Sequence, residues 1–165
     1  AAGSRPRPDD QGLWVEREAL KIAVQRPALA GPVFDDLDPA VFTDQAYAGV
    51  HKAVAGAGGV SAATAGEAWV TRLRDESGDD QVRSLVTELA VEPVRSTGDI
   101  DARYCDAVLA RLQEMAVVRR VTELKSRVQR LNPVDAAEEY NRLFGELIAL
   151  EQLRRGLRER SLGSL

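Results

Sequence analysis

The feature that most constrains this fold is the stretch from Asp99 to Leu131, which contains neither glycine nor proline. A stretch of that length without a turn signal predicts one helix of about 50 Å at ~1.5 Å per residue. Asn132 and Pro133 end it. A final helix is expected to begin at Val134 and to end at about Arg160.

Apolar residues on these last two helices repeat at alternating spacings of three and four, the pattern of helices that pack along one seam. Because only Asn132 and Pro133 connect them, the second helix must run antiparallel to the first. Residues 117–155 are therefore predicted to form a helical hairpin. Its seam residues are Val117, Val121, Leu124, Val128 and Leu131, then Tyr140, Leu143, Leu147, Leu150, Arg154 and Leu157.

The long helix carries a second apolar stripe upstream, in a different phase, formed by Tyr104, Val108, Leu112 and Met115. The change of phase indicates that its first half packs on an N-terminal bundle and its second half on the last helix. Residues 1–12 are rich in glycine, proline and charge, which is typical of a linker. The predicted fold is all-α: a linker at 1–12, a helical bundle at 13–116 with a long connecting helix, and a C-terminal antiparallel helical hairpin at 117–165.

Within the bundle region, helical patterns follow one another closely, and no alternating strand pattern of useful length occurs. Asp38, directly before Pro39, is expected to cap a helix, because a carboxylate can accept the free N–H groups of a first turn. Asp44 is a second expected cap, and Ser61 a third.

The scarcity of cysteine and histidine excludes several chemistries. One Cys and one His cannot form a disulfide or a zinc site of the Cys/His type, and a catalytic triad would have to use His51 as its base. His51 and Cys105 are both expected to be packing residues. No apolar run is long enough to predict a transmembrane helix, and no signal peptide is recognised. The first residue is not Met, so the chain is expected to be a fragment.

Charge divides the chain in the same way as the apolar pattern. Residues 1–100 hold 10 basic and 16 acidic side chains, whereas residues 101–165 hold 12 and 10. Several arginines follow the long helix and the C-terminus, so a helical module that binds nucleic acid through an Arg-rich hairpin is one hypothesis. Acidic residues interleave with these arginines and no aromatic residue lies among them, which disfavours direct nucleic-acid contact.

Apolar residues also lie off the hairpin seam, at Phe144, Ile148 and Leu153. Two helices alone bury little apolar surface, so a second apolar face predicts a partner surface or self-association. The alternative is that these side chains fold back onto the bundle.

A set of short motifs adds a family resemblance. The run Glu16-Arg17-Glu18-Ala19-Leu20-Lys21 is followed by Gln25 and Pro27, and then by Phe42, Tyr47 and Val50-His51. Their order, together with the linker, bundle, long helix and hairpin, resembles the C-terminal helicase-binding domain of bacterial DNA primase. The likeness covers nearly all of the chain after residue 12, and actinobacterial primases are the most similar type.

The resemblance implies a non-catalytic domain that binds the N-terminal domain of the replicative hexameric helicase and brings primer synthesis to the replication fork. Zinc and magnesium are then expected only in parent domains that this chain lacks, and the location would be the cytoplasmic replisome. By position, the helicase contact falls on the hairpin residues Tyr140, Leu143, Phe144, Leu147 and Ile148. Neither a membrane nor direct nucleic-acid binding is expected.

Two further expectations come from the same resemblance. In some members the bundle binds the acidic C-terminal tail of single-stranded DNA-binding protein through basic residues on the first helix, for which Arg17 and Lys21 are the candidates here. The N-terminal domain of the replicative helicase has a similar layout, and it remains an alternative family at this point.

Overall fold

The computed structural model describes residues 6–64 and 66–162, and in those residues the chain forms α-helices, two short 3-10 turns and no strand. The all-α prediction is confirmed. The helices are α1 (Trp14–Gln25), α2 (Pro27–Asp35), α3 (Gln45–Gly56), α4 (Glu67–Glu76), α5 (Asp80–Val91), α6 (Ala102–Arg130) and α7 (Ala137–Leu162); the 3-10 turns are Pro39–Val41 and Val60–Ala62.

Aspartates define several helix starts. The Asp44 carboxylate accepts hydrogen bonds from the backbone N–H groups of Ala46 and Tyr47 at the start of α3. Asp38 caps the first 3-10 turn, as predicted. Asp79 and Asp101 cap α5 and α6 in the same way. The long helix therefore begins after Asp101 and not at Asp99.

The prediction that Ser61 caps the next helix is wrong. Ser61 lies inside the second 3-10 turn, and its hydroxyl donates to the Asp35 carboxylate at 2.6 Å. The residue that precedes α4 is Gly66, whose φ of 67° is a conformation that glycine adopts readily. The start of α4 therefore has a glycine turn in place of the predicted Ser61 side-chain cap.

The turn between the last two helices is longer than the two-residue break suggests. The Asn132 side chain accepts the backbone N–H of Val134 at 2.9 Å, and the Asn132 carbonyl accepts the N–H of Ala136. This turn delays the start of α7 to Ala137 rather than Val134. The antiparallel arrangement is retained, because α7 packs along α6.

The apolar core of the bundle surrounds α1. Every residue from Val15 to Val24 is buried, and the core around them draws on α2 to α5 and on α6 as far as Leu112. Trp69 is anchored there, because its indole N–H donates to the carbonyl of Ala23 at 3.0 Å. Thus α1 is enclosed by the other helices on all sides.

A second, smaller core lies between α6 and α7. Its buried members are Ala110, Val117, Val121 and Leu157, with Leu147 and Leu150 packed against them. Ala110 belongs to the second core and Leu112 to the first, so the two cores overlap along α6 by less than one helical turn. The same helix is shared by both cores, and the division into two subdomains at residues 116 and 117 remains an interpretation.

Candidate functional site

One exposed apolar surface of the hairpin is a stripe on α7 formed by Tyr140, Phe144 and Ile148, which we call the apolar stripe. Phe144 is 46% exposed and Ile148 is 49% exposed. These residues are spaced four apart, so they follow one another along a single face of the helix. The rings of Tyr140 and Phe144 stack, with centroids 6.2 Å apart and an interplanar angle of 7°. The stripe is thus a preformed apolar ridge.

The structure separates two of the five candidate helicase contacts from this stripe. Leu143 is completely buried, so its assignment as a partner contact is wrong. Leu143 belongs to the seam, since it lies one position away from Phe144 and therefore points about 100° around the helix. Leu147 is half-buried and packs on the second core, where it has little free surface. Tyr140, Phe144 and Ile148 remain as candidates.

Ion pairs line both edges of the seam and fix the register of the hairpin. On one edge, Arg120 pairs with Glu146 at 3.0 Å, and Arg127 pairs with Glu139 at 3.7 Å. On the other edge, Lys125 and Glu151 lie 3.5 Å apart. Exposed pairs of this kind each contribute about 0–1 kcal/mol, so their main effect is on register rather than on stability.

The edge of the seam that carries Arg120 and Glu146 faces the bundle. The guanidinium of Arg119 donates to the Ala40 carbonyl at 3.4 Å, which brings the first 3-10 turn against α6. A cleft of about 490 Å³ lies beside it, between that turn and α7, and Arg120 of α6 and Leu153 of α7 line its far side. Leu153 therefore looks toward the bundle, although it is 49% exposed.

The apolar stripe lies on the opposite edge of the seam, which carries Lys125 and Glu151. Helical periodicity places Ile148 about 140° from Leu153 and on the same side as Glu151, the partner of Lys125. The idea that Phe144 and Ile148 fold back onto the bundle is therefore wrong. Both remain open to a partner.

The charged run at the start of α1 is interior. Arg17 is only 2% exposed, and its guanidinium donates to the carboxylates of Glu88 and Glu92 at 2.7 Å each and to the Tyr47 hydroxyl at 3.1 Å. Lys21, 3% exposed, pairs with Glu18 at 2.9 Å and donates to the carbonyl of Pro93. We call this group of side chains the buried charge network.

Burial removes both candidates for the acidic-tail contact. The Arg17 and Lys21 charges are satisfied by internal carboxylates and by a backbone carbonyl, so neither is available to an acidic peptide in this conformation. The cation at the exposed end of α1 is instead Arg95, whose guanidinium lies 5.2 Å from the centre of the Trp14 ring. Sequence reasoning missed it because Arg95 is distant from α1 along the chain.

The pKa shifts follow from the same geometry. Burial alone would raise the pKa of Glu92, but the hydrogen bond and positive charge of Arg17, with a smaller contribution from Lys21, outweigh it and lower the pKa. Burial raises the pKa of Tyr104, and the negative charge of the Glu18 carboxylate, which accepts a hydrogen bond from the Tyr104 hydroxyl at 3.0 Å, raises it further. Their hydrogen bonds join α1 to α6 and to the C-terminal end of α5.

His51 and Cys105 are packing residues, as predicted. The His51 ring lies 4.9 Å from that of Phe42 and 5.6 Å from that of Phe34. Burial lowers its pKa, although the charges of Asp35 and Asp38 partly oppose this. Burial, reinforced by the charges of Asp106 and Asp101, raises the pKa of the Cys105 thiol to about 11. The thiol is therefore protonated at neutral pH and is not an activated nucleophile.

His51 should make the stability of the bundle depend on pH below about 6.5. Its folded-state pKa lies below the unfolded value of 6.5, so the unfolded chain binds a proton more readily and acid favours unfolding. Above pH 6.5 His51 is neutral in both the folded and the unfolded state, so it does not lower the free energy of unfolding. The free energy of unfolding then decreases as the pH falls from 6.5 through the folded-state pKa. We expect the thermal midpoint of the natural chain to decrease more steeply between pH 7.5 and pH 5 than that of His51→Gln, measured by circular dichroism. Parallel curves for the two proteins would contradict this.

In the described part of the chain, no group of three or more His, Cys, Asp or Glu side chains is placed to hold a metal ion. None of the helices in residues 6–64 and 66–162 is long and apolar enough to cross a membrane.

Comparison with known proteins shows the family of this chain. Residues 16–143 match the family model for "DNA primase DnaG DnaB-binding", so the chain belongs to that family. It is 46% identical over 160 residues to a DNA primase from Mycolicibacterium smegmatis and 44% identical over 160 residues to one from Mycobacterium leprae. These alignments cover 96% and 97% of this chain, respectively, but only 25% of each relative.

A solved structure gives a comparison over most of the chain. The helicase binding domain of primase from Mycobacterium tuberculosis superimposes with a TM-score of 0.74 and 45% sequence identity, over 92% of this chain and 94% of that one. The family model ends at Leu143, directly before Phe144. The chain spans about a quarter of the length of the curated primases that it matches.

Proposed function

We propose that this chain is a non-catalytic module that binds the N-terminal domain of the replicative hexameric helicase, DnaB, through the apolar stripe of α7. The observation that carries the proposal is the half-exposed pair Phe144 and Ile148, on the hairpin edge that the bundle does not cover. The family is named for DnaB binding, and the mycobacterial domain of similar structure is a helicase binding domain, which supports this choice of partner.

The size of the contact is consistent with a specific interaction. Full burial of a Phe or Ile side chain contributes about 1.5–3 kcal/mol, and each of these is already half-buried. Covering both therefore contributes on the order of 2–3 kcal/mol, and Tyr140 adds to it. A few large apolar residues usually dominate a protein interface, and a stacked aromatic pair on a helix loses little side-chain entropy on binding.

In the whole protein, this module would act as a tether. We propose that the parent is a DNA primase, as its relatives are named, and that the tether places the primer-synthesising domain next to the helicase. The zinc and magnesium chemistry of primer synthesis would belong to those other domains. Nothing in this role requires a nucleophile or a metal ligand within the chain.

The nucleic-acid alternative is less well supported by the geometry. The cations along α6 are largely engaged by carboxylates of the same hairpin, as Arg120 is by Glu146 and Arg127 is by Glu139. A phosphate-binding surface needs free cations, and its affinity falls steeply with salt. The formal net charge of the chain is −4.

Alanine substitution in the apolar stripe tests the proposal. The double variant Phe144→Ala/Ile148→Ala should weaken binding to purified DnaB hexamer by about 30-fold or more, which corresponds to roughly 2 kcal/mol. The variant should stay folded with nearly unchanged helicity, because both side chains are half-exposed and alanine favours the helix, although its thermal midpoint should fall by a few degrees. The readouts are calorimetric titration and circular dichroism.

Leu153→Ala is the matched control, since Leu153 lies on the same helix with 49% exposure but on the edge that faces the bundle. It should bind DnaB within about threefold of the natural chain. Equal losses for the two variants would contradict a contact through the apolar stripe, and unfolding of the double variant would show that Phe144 and Ile148 are core residues.

A further inference from the structure

The face of α7 that carries the apolar stripe becomes basic toward the C-terminus. Arg155 is seven residues beyond Ile148, which is about two turns and ~10 Å along the same face of the helix. Arg158 follows Tyr140 by five full turns and therefore lies in line with it. Both arginines are exposed. The apolar stripe and these two cations thus form a continuous surface, with its apolar part near the hairpin turn and its basic part near the end of α7.

The hairpin itself does not use these cations. The carboxylates of α7 that face α6 are already paired, Glu139 with Arg127, Glu146 with Arg120, and Glu151 with Lys125. Arg154, next to Arg155, also pairs with Glu151 at 3.4 Å. Within residues 6–64 and 66–162, by contrast, neither Arg155 nor Arg158 forms an ion pair. Their charge is available to a partner.

We propose that Arg155 and Arg158 extend the docking surface, and that the partner is a protein surface with an apolar recess for the stripe and carboxylates about 10–15 Å farther along α7. The proposal rests on the proposed function, because it takes the partner to be the helicase. Two free guanidinium groups beside a desolvated apolar anchor favour a carboxylate-bearing surface, since arginine pairs with carboxylates through two parallel hydrogen bonds. Two cations are too few for a stable phosphate track, and Glu159 lies among them.

Charges at the edge of an interface, such as those of Arg155 and Arg158, act mainly on the rate of association. They steer the encounter, and their influence declines as salt screens them. The apolar stripe, in contrast, governs how long the complex persists. The two halves of the surface should therefore have separable kinetic effects.

The test is the double charge reversal Arg155→Glu/Arg158→Glu, measured by surface plasmon resonance against immobilised DnaB hexamer at 50 mM and 500 mM NaCl. We expect the association rate to fall about tenfold or more at 50 mM NaCl and by less than threefold at 500 mM NaCl. Arg160→Glu is the single-site control, because it reverses one charge, half the change of the double variant, at a neighbouring position that points about 140° away from Arg155. It should stay within twofold of the natural chain at both salt concentrations.

Each other outcome overturns the proposal in a distinct way. If the double reversal binds like the natural chain while Phe144→Ala/Ile148→Ala does not, the basic end is not part of the interface and the proposed function stands. If the natural chain itself fails to bind DnaB, the proposed function fails. If the reversal leaves DnaB binding intact but abolishes binding of a fluorescent single-stranded oligonucleotide at 150 mM NaCl, the cations serve nucleic acid.

Discussion

Truncation of the chain after Leu131 should abolish helicase binding and leave the bundle folded. The deletion removes all of α7, and with it the apolar stripe, so the dissociation constant for DnaB should rise by about 100-fold or more. The bundle should persist because its core is built from α1 to α5 and from α6 only as far as Leu112. The second half of α6 loses its seam partner and should fray.

Tryptophan fluorescence separates the two effects, since Trp14 and Trp69 both lie in the bundle. Trp69 is 1% exposed and its indole N–H is held by the Ala23 carbonyl, so its emission maximum should not shift on truncation. Circular dichroism should show a loss of helix that corresponds to α7 and part of α6. Capture of helicase by the truncated chain at natural strength would refute the assignment of the contact to the hairpin.

Replacing Arg17 with Met should be the most destabilising single substitution considered for this chain. Met keeps most of the side-chain volume but removes the hydrogen bonds that Arg17 donates to Glu88, Glu92 and the Tyr47 hydroxyl. Breaking a buried ion pair from one side costs about 3–5 kcal/mol. Because Glu88 and Glu92 remain partly exposed to water, we expect a value near the lower limit, about 3 kcal/mol of unfolding free energy.

Urea unfolding monitored by tryptophan fluorescence measures this loss. Arg83→Met is the control, because Arg83 also pairs with a carboxylate, that of Asp80, but at the surface. Exposed pairs contribute about 0–1 kcal/mol, so the control should unfold nearly at the natural urea concentration. Similar midpoints for the two variants would mean that the buried charge network contributes little to stability.

The sequence predicted the hairpin because its signal is local and periodic. Val117, Val121 and Leu124 repeat on the helix they occupy, and all three are buried. The same periodicity already placed Leu143 on the seam, so its assignment as a partner contact conflicted with the pattern, and the structure decides in favour of the seam. Phe144 and Ile148 were identified because they break the pattern.

The buried charge network could not be predicted in this way. A run such as Glu16-Arg17-Glu18 is normally interpreted as exposed, since the cost of burying a charge is high. The groups that offset this cost are Glu92, which lies directly after α5, and Tyr104, which lies on α6, both more than 70 positions away in sequence. No local pattern connects them. The order of residue types at 16–21 was informative only as a family signature.

The continuity of α6 has a consequence for where the helicase would meet this module. Both cores use one helix, the first as far as Leu112 and the second from Val117 onward, except for Ala110. Each residue of a helix advances it by ~1.5 Å and turns it by about 100°. The few residues between the two cores therefore set the direction in which the apolar stripe points relative to the bundle. Inserting one alanine there would keep the contacts of the first core as far as Leu112 and those among Val117, Val121 and Leu157, would displace Ala110 from the second core, and would redirect the docking surface by more than a quarter turn.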